Sequence, residues 1–196
     1  MITAKALKET PADAAGGSDE DIIAKVAAGD EASFRILTER YTGLIFSVAY
    51  RISYNRTAAE DVVQETLLRL WQKAADYDAK RGASVKTWIC RIATNLCIDE
   101  RRKSGREYQG EVPEKADPAQ GAQAVMEDRQ TGQIVGSVLQ ELPERQRSAL
   151  ILFHYEGMSV KEIAQVLKTT PKGAERLLDR SRQALRRGLE EFKGVL

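Results

Sequence analysis

The run "EGMSVKEIAQVLKTTPKGAERLLDRSRQALRR", Glu156–Arg187, decides how this chain is read. Ser159 followed by Glu162 makes a capping box, in which hydroxyl and carboxylate each satisfy a backbone N–H that a helix start leaves unpartnered. The helix it opens, "VKEIAQVL", ends in a short turn, "KTT". Pro171 then suits the first turn of a second helix, because its fixed φ is already helical. Two helices across so short a turn make a helix-turn-helix. On the second helix Lys172, Arg176, Arg180, Gln183 and Arg187 recur every three or four residues and share a face. Leu178, Ser181, Leu185 and Leu189 point elsewhere. A cationic stripe on a helix that fits the major groove is what phosphate attraction and base-edge reading require. By itself such a stripe is equally the solvated face of a bundle helix. Glu175 and Asp179 interrupt the positive charge, although a glutamate can accept from cytosine N4, which makes Glu175 a candidate reader. Lys168 occupies a turn position that often takes glycine, because it calls for positive φ.

Outward from this motif the helical period continues almost everywhere, with no alternating strand. "IVGSVLQEL" precedes Pro143, expected in a first turn, and "ERQRSALILFHYE" runs on to Gly157. Upstream, "GREYQGEVPEKADPAQGAQ" holds glycine, two prolines and few large apolar residues, the composition of a linker. Before it, Ser18 caps "DEDIIAKVAAG". A helix over Glu31–Tyr54 then carries Phe34, Leu37, Tyr41, Leu44, Ile45, Val48 and Ile52 on one stripe. Thr57 is expected to cap the next helix, reaching about Ala75. "DYDAKRG" is a polar loop, and Ser84 caps "VKTWICRIATNLCIDERRK". The expected fold is all-α. A leader at 1–17 precedes a helical domain at 18–104, a flexible linker at 105–125 and a second helical domain at 126–196.

Composition narrows the function. The 196 residues are 42% hydrophobic and 30% charged, with a net charge of +1, so partners must be read from how charge is distributed. "ERRKSGR" and "DRSRQALRR" are strongly basic. No apolar run approaches the roughly 20 residues of a spanning helix, and the N-terminus lacks the apolar core of a secretory signal. Cys90 and Cys97 lie seven residues apart on one helix, about 10 Å along its axis, too far to bridge. Two reduced thiols in a cytosolic protein follow. With one histidine there is little from which to build a zinc site, so no metal and no cofactor is expected. No nucleophile–base pair or phosphate loop points to an enzyme.

Two further stretches carry chemistry. From Asp76 to Lys103, Tyr77 and Trp88 flank a loop holding Lys80 and Arg81, with Lys86, Arg91 and Asn95 beyond. Cations interleaved with aromatics hold unpaired bases by stacking and backbone attraction. Trp88 at helical spacing reads better as core beside Ile92, and Tyr77 as the base contact. In "EDVVQETLLRLW", Glu60–Trp71, the residues Val62, Val63, Thr66, Leu67, Leu70 and Trp71 form a buried side. Asp61, Gln64, Glu65 and Leu68 form the other, and a leucine among acids suggests a protein interface.

"SDEDIIAKVAAGDEASFRILTERY", "AEDVVQETLLRLW", "KTWICRIATNLCIDERRK" and "LQELPERQRSALILFHYEGMSVKEIAQVL" together resemble the extracytoplasmic-function sigma factors of bacterial RNA polymerase, in the family's order, from Ser18 to Phe192. The resemblance implies a cytoplasmic promoter-specificity factor with two domains, regions two and four. It implies that Asp61, Gln64, Glu65 and Leu68 dock on the beta-prime coiled coil of core polymerase, with the beta flap as a second contact. It implies that Tyr77, Lys80, Arg81, Lys86, Trp88, Arg91 and Asn95 open and read the minus-ten element. Thr170, Lys172, Glu175, Arg176, Arg180 and Gln183 would read the minus-thirty-five element. An anti-sigma factor is a further implied partner. Where many members carry a "TVKSRL"-like run, this chain reads "GAERLL", Gly173–Leu178, so no promoter sequence is assigned. Two other readings stay open: a sigma mimic that titrates an anti-sigma factor, and a stand-alone helix-turn-helix regulator.

Overall fold

The computed structural model describes residues 17–103 and 134–192. The expected linker lies outside these residues, as does the expected leader apart from Gly17. The described residues are helical, with no strand among them.

A first bundle holds α1 (Asp19–Ala27), α2 (Glu31–Ser53), α3 (Arg56–Lys73) and α4 (Val85–Lys103). Each start has a local cause. Ser18 accepts the Asp21 N–H at 3.2 Å and Asp30 accepts the Ala32 N–H at 3.2 Å. At α3 the cap is Asn55, whose side chain accepts the Ala58 N–H at 2.8 Å, and not the expected Thr57. Tyr54 explains the difference: it ends α2 in the left-handed region, at φ 53°, so the chain is already turned and the next helix begins two residues early. Two short 3₁₀ turns, Ala74–Asp76 and Ala79–Arg81, replace the featureless loop. Gly82, at φ 71°, ends the second, and Ser84 accepts the Thr87 N–H at 3.1 Å to start α4. The stripe on α2 is buried at Leu37, Tyr41, Ile45, Val48 and Ile52, and Phe34 and Leu44 pack at its edge.

A second bundle holds α5, described over residues 134–141, then α6 (Glu144–His154), α7 (Val160–Val166) and α8 (Pro171–Glu190). Pro143 stands one position before α6, as its N-cap residue, and not inside the first turn. The capping box forms in both directions, Ser159 Oγ accepting from Glu162 and the Glu162 carboxylate accepting the Ser159 N–H at 2.8 Å. Gly188 lets α8 meet α5: a Cβ there would lie 2.4 Å from Val138 Cγ1.

The bundles are packed against one another, α7 on α4 and α6 on α2. One apolar core runs from Ile22 in α1 to Leu178 in α8. Arg147 sits in this junction at 1% exposure. Its guanidinium donates to the carbonyls of Leu139 (2.7 Å), Leu142 (2.8 Å) and Gln140 at the end of α5, and to Ile52 (2.8 Å) at the end of α2. The last carbonyls of a helix lack intrahelical donors and carry partial negative charge. A single buried cation thus satisfies two helix ends, one from each bundle.

Cys90 and Cys97 are free thiols on the inner side of α4. Burial pushes both thiols up to about 12. Since the thiolate is the reactive form, iodoacetamide at pH 8 is expected to modify neither in the native protein and both after denaturation. Mass spectrometry reads this directly, and native labelling at the rate of a free thiol would contradict it.

Candidate nucleic-acid interface

Three surfaces hold the expected residues, though not all of those on the second are brought together. The first is the outer face of α3. The inner face buries Val62, Thr66 and Leu70, which turns Asp61, Gln64 and Leu68 outward by helical geometry. Leu68 is 49% exposed, and among the described residues only Tyr155 is a comparably exposed large hydrophobic. Glu65 lies at the edge, bonded to Arg69 at 2.7 Å, and Glu60 pairs with Arg56 at 2.9 Å. Such exposed helical pairs contribute only a few tenths of a kcal/mol, so they orient side chains more than they hold the fold.

The second surface is a cleft of about 740 Å³ between the end of α3, the 3₁₀ turns and α4. Arg69, Lys73, Trp88, Arg91, Ile92 and Asn95 line it, with Asp76 and Asp78 on its rim and Lys168 entering from the second bundle. Arg91 and Asn95 therefore both line the cleft. Trp88 is 6% exposed and packs edge-on to Tyr77 at 5.7 Å, so it is mainly core and offers the cleft one edge. Tyr77 is partly buried too, its hydroxyl donating to the Ala83 carbonyl at 3.0 Å. Burial raises its phenol pKa, which keeps that hydroxyl a donor. Lys80 is exposed on the second turn, whose backbone Arg81 closes. Lys86 points away from the cleft and donates to the Glu156 carbonyl at 3.0 Å. Sequence reasoning missed Arg69, Lys73 and Lys168 as walls of this cleft. The first two look like ordinary charges late in α3, and only the packing of α3 on α4 brings them opposite Arg91.

The third surface is α8. Thr170 caps it, accepting the Gly173 N–H at 3.0 Å, and Pro171 is its first residue. Ala174, Leu178 and Ser181 face inward, while Lys172, Glu175, Arg176, Arg180, Gln183 and Arg187 are all exposed in register. Asp179 lies 3.8 Å from Arg182, which removes part of its repulsion toward phosphate. Lys168 adopts φ 49°, the left-handed turn expected of it. Burial opposes ionisation of Glu162, but hydrogen bonds from Ser159, then Thr87, with the Lys86 charge, hold its carboxyl below the usual range. The α7 cap is therefore charged at neutral pH. Among the described residues no group of three or more His, Cys, Asp or Glu could hold a metal ion.

Residues 37–107 match the model of "Sigma-70 region 2" and residues 132–185 that of "Sigma-70, region 4". The chain is 32% identical over 167 residues to ECF RNA polymerase sigma factor SigE of Mycolicibacterium smegmatis, covering 82% of this chain and 64% of that one. To ECF RNA polymerase sigma factor SigW of Bacillus subtilis it is 29% identical over 181 residues, covering 87% and 96%. Among solved structures it is similar to CnrH in complex with the cytosolic domain of CnrY, at TM-score 0.68 and 25% identity, over 88% of this chain and 97% of that one.

Proposed function

As this chain belongs to the sigma-70 family, as an extracytoplasmic-function sigma factor, we propose that it binds core RNA polymerase in the cytoplasm and directs it to promoters. It catalyses nothing itself. The observation that carries this reading is that each of the two bundles exposes a cationic surface, while α3 keeps an acidic face with a bare leucine for a third contact.

Each surface has a stated task. Asp61, Gln64, Glu65 and Leu68 dock on the beta-prime coiled coil, and the second bundle meets the beta flap. The cleft bounded by Arg69, Lys73, Arg91 and Asn95 takes the opened minus-ten strand, with Lys80 and Arg81 on its backbone and the Tyr77–Trp88 pair as its apolar side. Stacking contributes roughly 1–3 kcal/mol per captured base, which offsets part of an unpairing cost of a few kcal/mol. The α8 face, from Thr170 to Gln183, reads the minus-thirty-five element in duplex form. Each module alone is weak, and the polymerase makes them selective by holding both on one DNA, an effective-concentration gain. No helix among the described residues is long and apolar enough to cross a membrane. An anti-sigma factor is the third partner. That CnrH is solved with a cytosolic domain of another protein supports this.

The test is run-off transcription with purified core polymerase, with and without this protein. Promoter-directed transcripts that depend on the added chain are expected. A stand-alone regulator would bind duplex and add no initiation, and a sigma mimic would bind neither core nor DNA productively. Within this frame Arg176→Ala is expected to weaken holoenzyme binding to the upstream element by about 1–3 kcal/mol, roughly 5- to 150-fold. The slope of affinity against salt should fall by about one unit if the guanidinium reaches a phosphate, and stay fixed if it reads a base. Unchanged affinity with an unchanged slope would remove Arg176 from the recognition face.

A further inference from the structure

The face of α8 that looks away from its own bundle carries a carboxylate where phosphate attraction alone would put a cation. Ala174, Leu178 and Ser181 fix the inward direction of α8. At about 100° per residue, the opposite direction passes between Gln183 and Arg176, with Lys172 and Arg187 roughly 30° to either side. Asp179 and Arg180 stand about 50° off that line, one on each side, whereas Glu175 stands about 90° off, on the flank. Recognition helices read base edges from their N-terminal part. Of the two acids in the first half of α8, Asp179 is therefore the one that a duplex docked on this face must meet.

Its surroundings leave its oxygens open to the groove. The Asp179 side chain is 68% exposed. Arg182 comes within 3.8 Å of it, too far for a hydrogen bond. The Arg182 guanidinium lies over the Phe153 ring of α6, 5.0 Å from the centroid, which holds it on the flank of α8. Arg182 thus offsets part of the charge on Asp179 without taking its acceptor lone pairs.

An unmatched carboxylate in this place opposes binding, because phosphates border the groove and like charges brought together at an interface cost affinity. The groove floor offers one kind of compensation. Cytosine presents its N4 amine there, and adenine presents its N6 amine beside the N7 acceptor. Guanine presents the acceptors N7 and O6, and thymine the acceptor O4 with a methyl group. A carboxylate only accepts. It is matched by cytosine, half matched by adenine and opposed by the other two.

We propose that Asp179 is a base-reading residue of the upstream promoter element, accepting from the N4 amine of a cytosine, and that it fixes cytosine at one position there. This deepens the sigma-factor reading above and rests on it. Lys172, Arg176 and Gln183 surround Asp179 on the exposed face and supply the attraction that brings a carboxylate up to the duplex. Asp179 turns that attraction into a choice of base.

The test uses holoenzyme assembled from core polymerase and the full chain, offered a randomised duplex library, with the selected consensus then varied one base pair at a time. Wild type is expected to show an upstream position at which cytosine is preferred to guanine and thymine by about tenfold or more, within the roughly 5- to 150-fold that one good base contact supplies. Asp179→Ala should lose the preference at that position and keep it at every other. Asp179→Asn should change it to adenine, because an amide pairs with N6 and N7 together. A variant that has lost only fold or charge gains no new base, so the exchange is a readout that a structural role does not move. The proposal is overturned if both variants bind all sequences more tightly with wild-type base preferences, the result expected of a carboxylate that only repels phosphate. It is overturned equally if the position that relaxes is one where wild type prefers guanine or thymine. Core retention and run-off transcription on the same samples test the sigma-factor reading separately. Initiation from the selected sites with base preferences indifferent to Asp179 overturns the proposal alone, and a chain that core never retains overturns the sigma reading.

Discussion

Asp61→Lys is expected to abolish retention by core polymerase and with it all promoter-directed transcription, while the fold melts within a degree or two of wild type. The argument starts from placement. Asp61 is exposed on the outer face of α3, one turn from Gln64 and two from Leu68, and Leu68 supplies the apolar anchor of that face. Neighbouring Glu65 is partly engaged by Arg69, so Asp61 carries much of the available negative charge. Reversing its sign sets a cation against whatever complements this face. Like-charge juxtaposition at an interface costs several kcal/mol, and each 1.4 kcal/mol is tenfold in affinity, so a loss of more than about a hundredfold follows. The fold should not notice, because an exposed substitution of this kind usually changes stability by less than about 0.5 kcal/mol. Core pull-down and a thermal melt on one preparation check both halves. Retention at wild-type affinity would assign the α3 face to some other task.

Arg147→Ala is expected to be the most destabilising single change in the second bundle. Of its four carbonyl acceptors, Leu139 would keep the Leu142 N–H at 3.3 Å, while Gln140, Leu142 and Ile52 would lose the guanidinium donor. Hydrogen bonds from a charged donor are worth about 1.5–3 kcal/mol each, and an orphaned buried acceptor costs about 1–3 kcal/mol. Even with partial relaxation a loss of about 3 kcal/mol or more follows, a fall in Tm of roughly 10 °C for a chain of this length melting as one unit. Arg147→Lys should recover little, because one ammonium with three donors cannot fork between two helix ends. Calorimetry reads the loss. If Arg147→Ala melted with wild type, the guanidinium would be a passenger in the junction.

These two residues also show where legibility stops. Asp61 was visible in advance because an exposed helical face is a local property: it follows from a period of 3.6 and from which neighbours are apolar. The helix starts at Ser18 and Ser159, the positive φ at Lys168 and the register of Lys172, Arg176, Arg180 and Gln183 are local in the same sense, and all four stand in the structure. Where local reasoning slipped, as at Thr57, the cause was a neighbour, Tyr54, turning left-handed without a glycine to announce it. Arg147 was not legible, because nothing in "PERQR" says that a guanidinium will find Ile52 ninety-five residues away.

Helix identity, face and charge pattern are set by interactions spanning four residues or fewer, and so the chain's order of letters alone determined an all-helical protein with one acidic and two cationic surfaces. The mutual docking of the bundles, the mixed walls of the cleft at Arg69, Lys73 and Lys168, and the Lys86–Glu156 contact were decided by tertiary structure only. Their free energy comes from burying apolar area between segments far apart in sequence, and that area exists only once α4 and α7 have met.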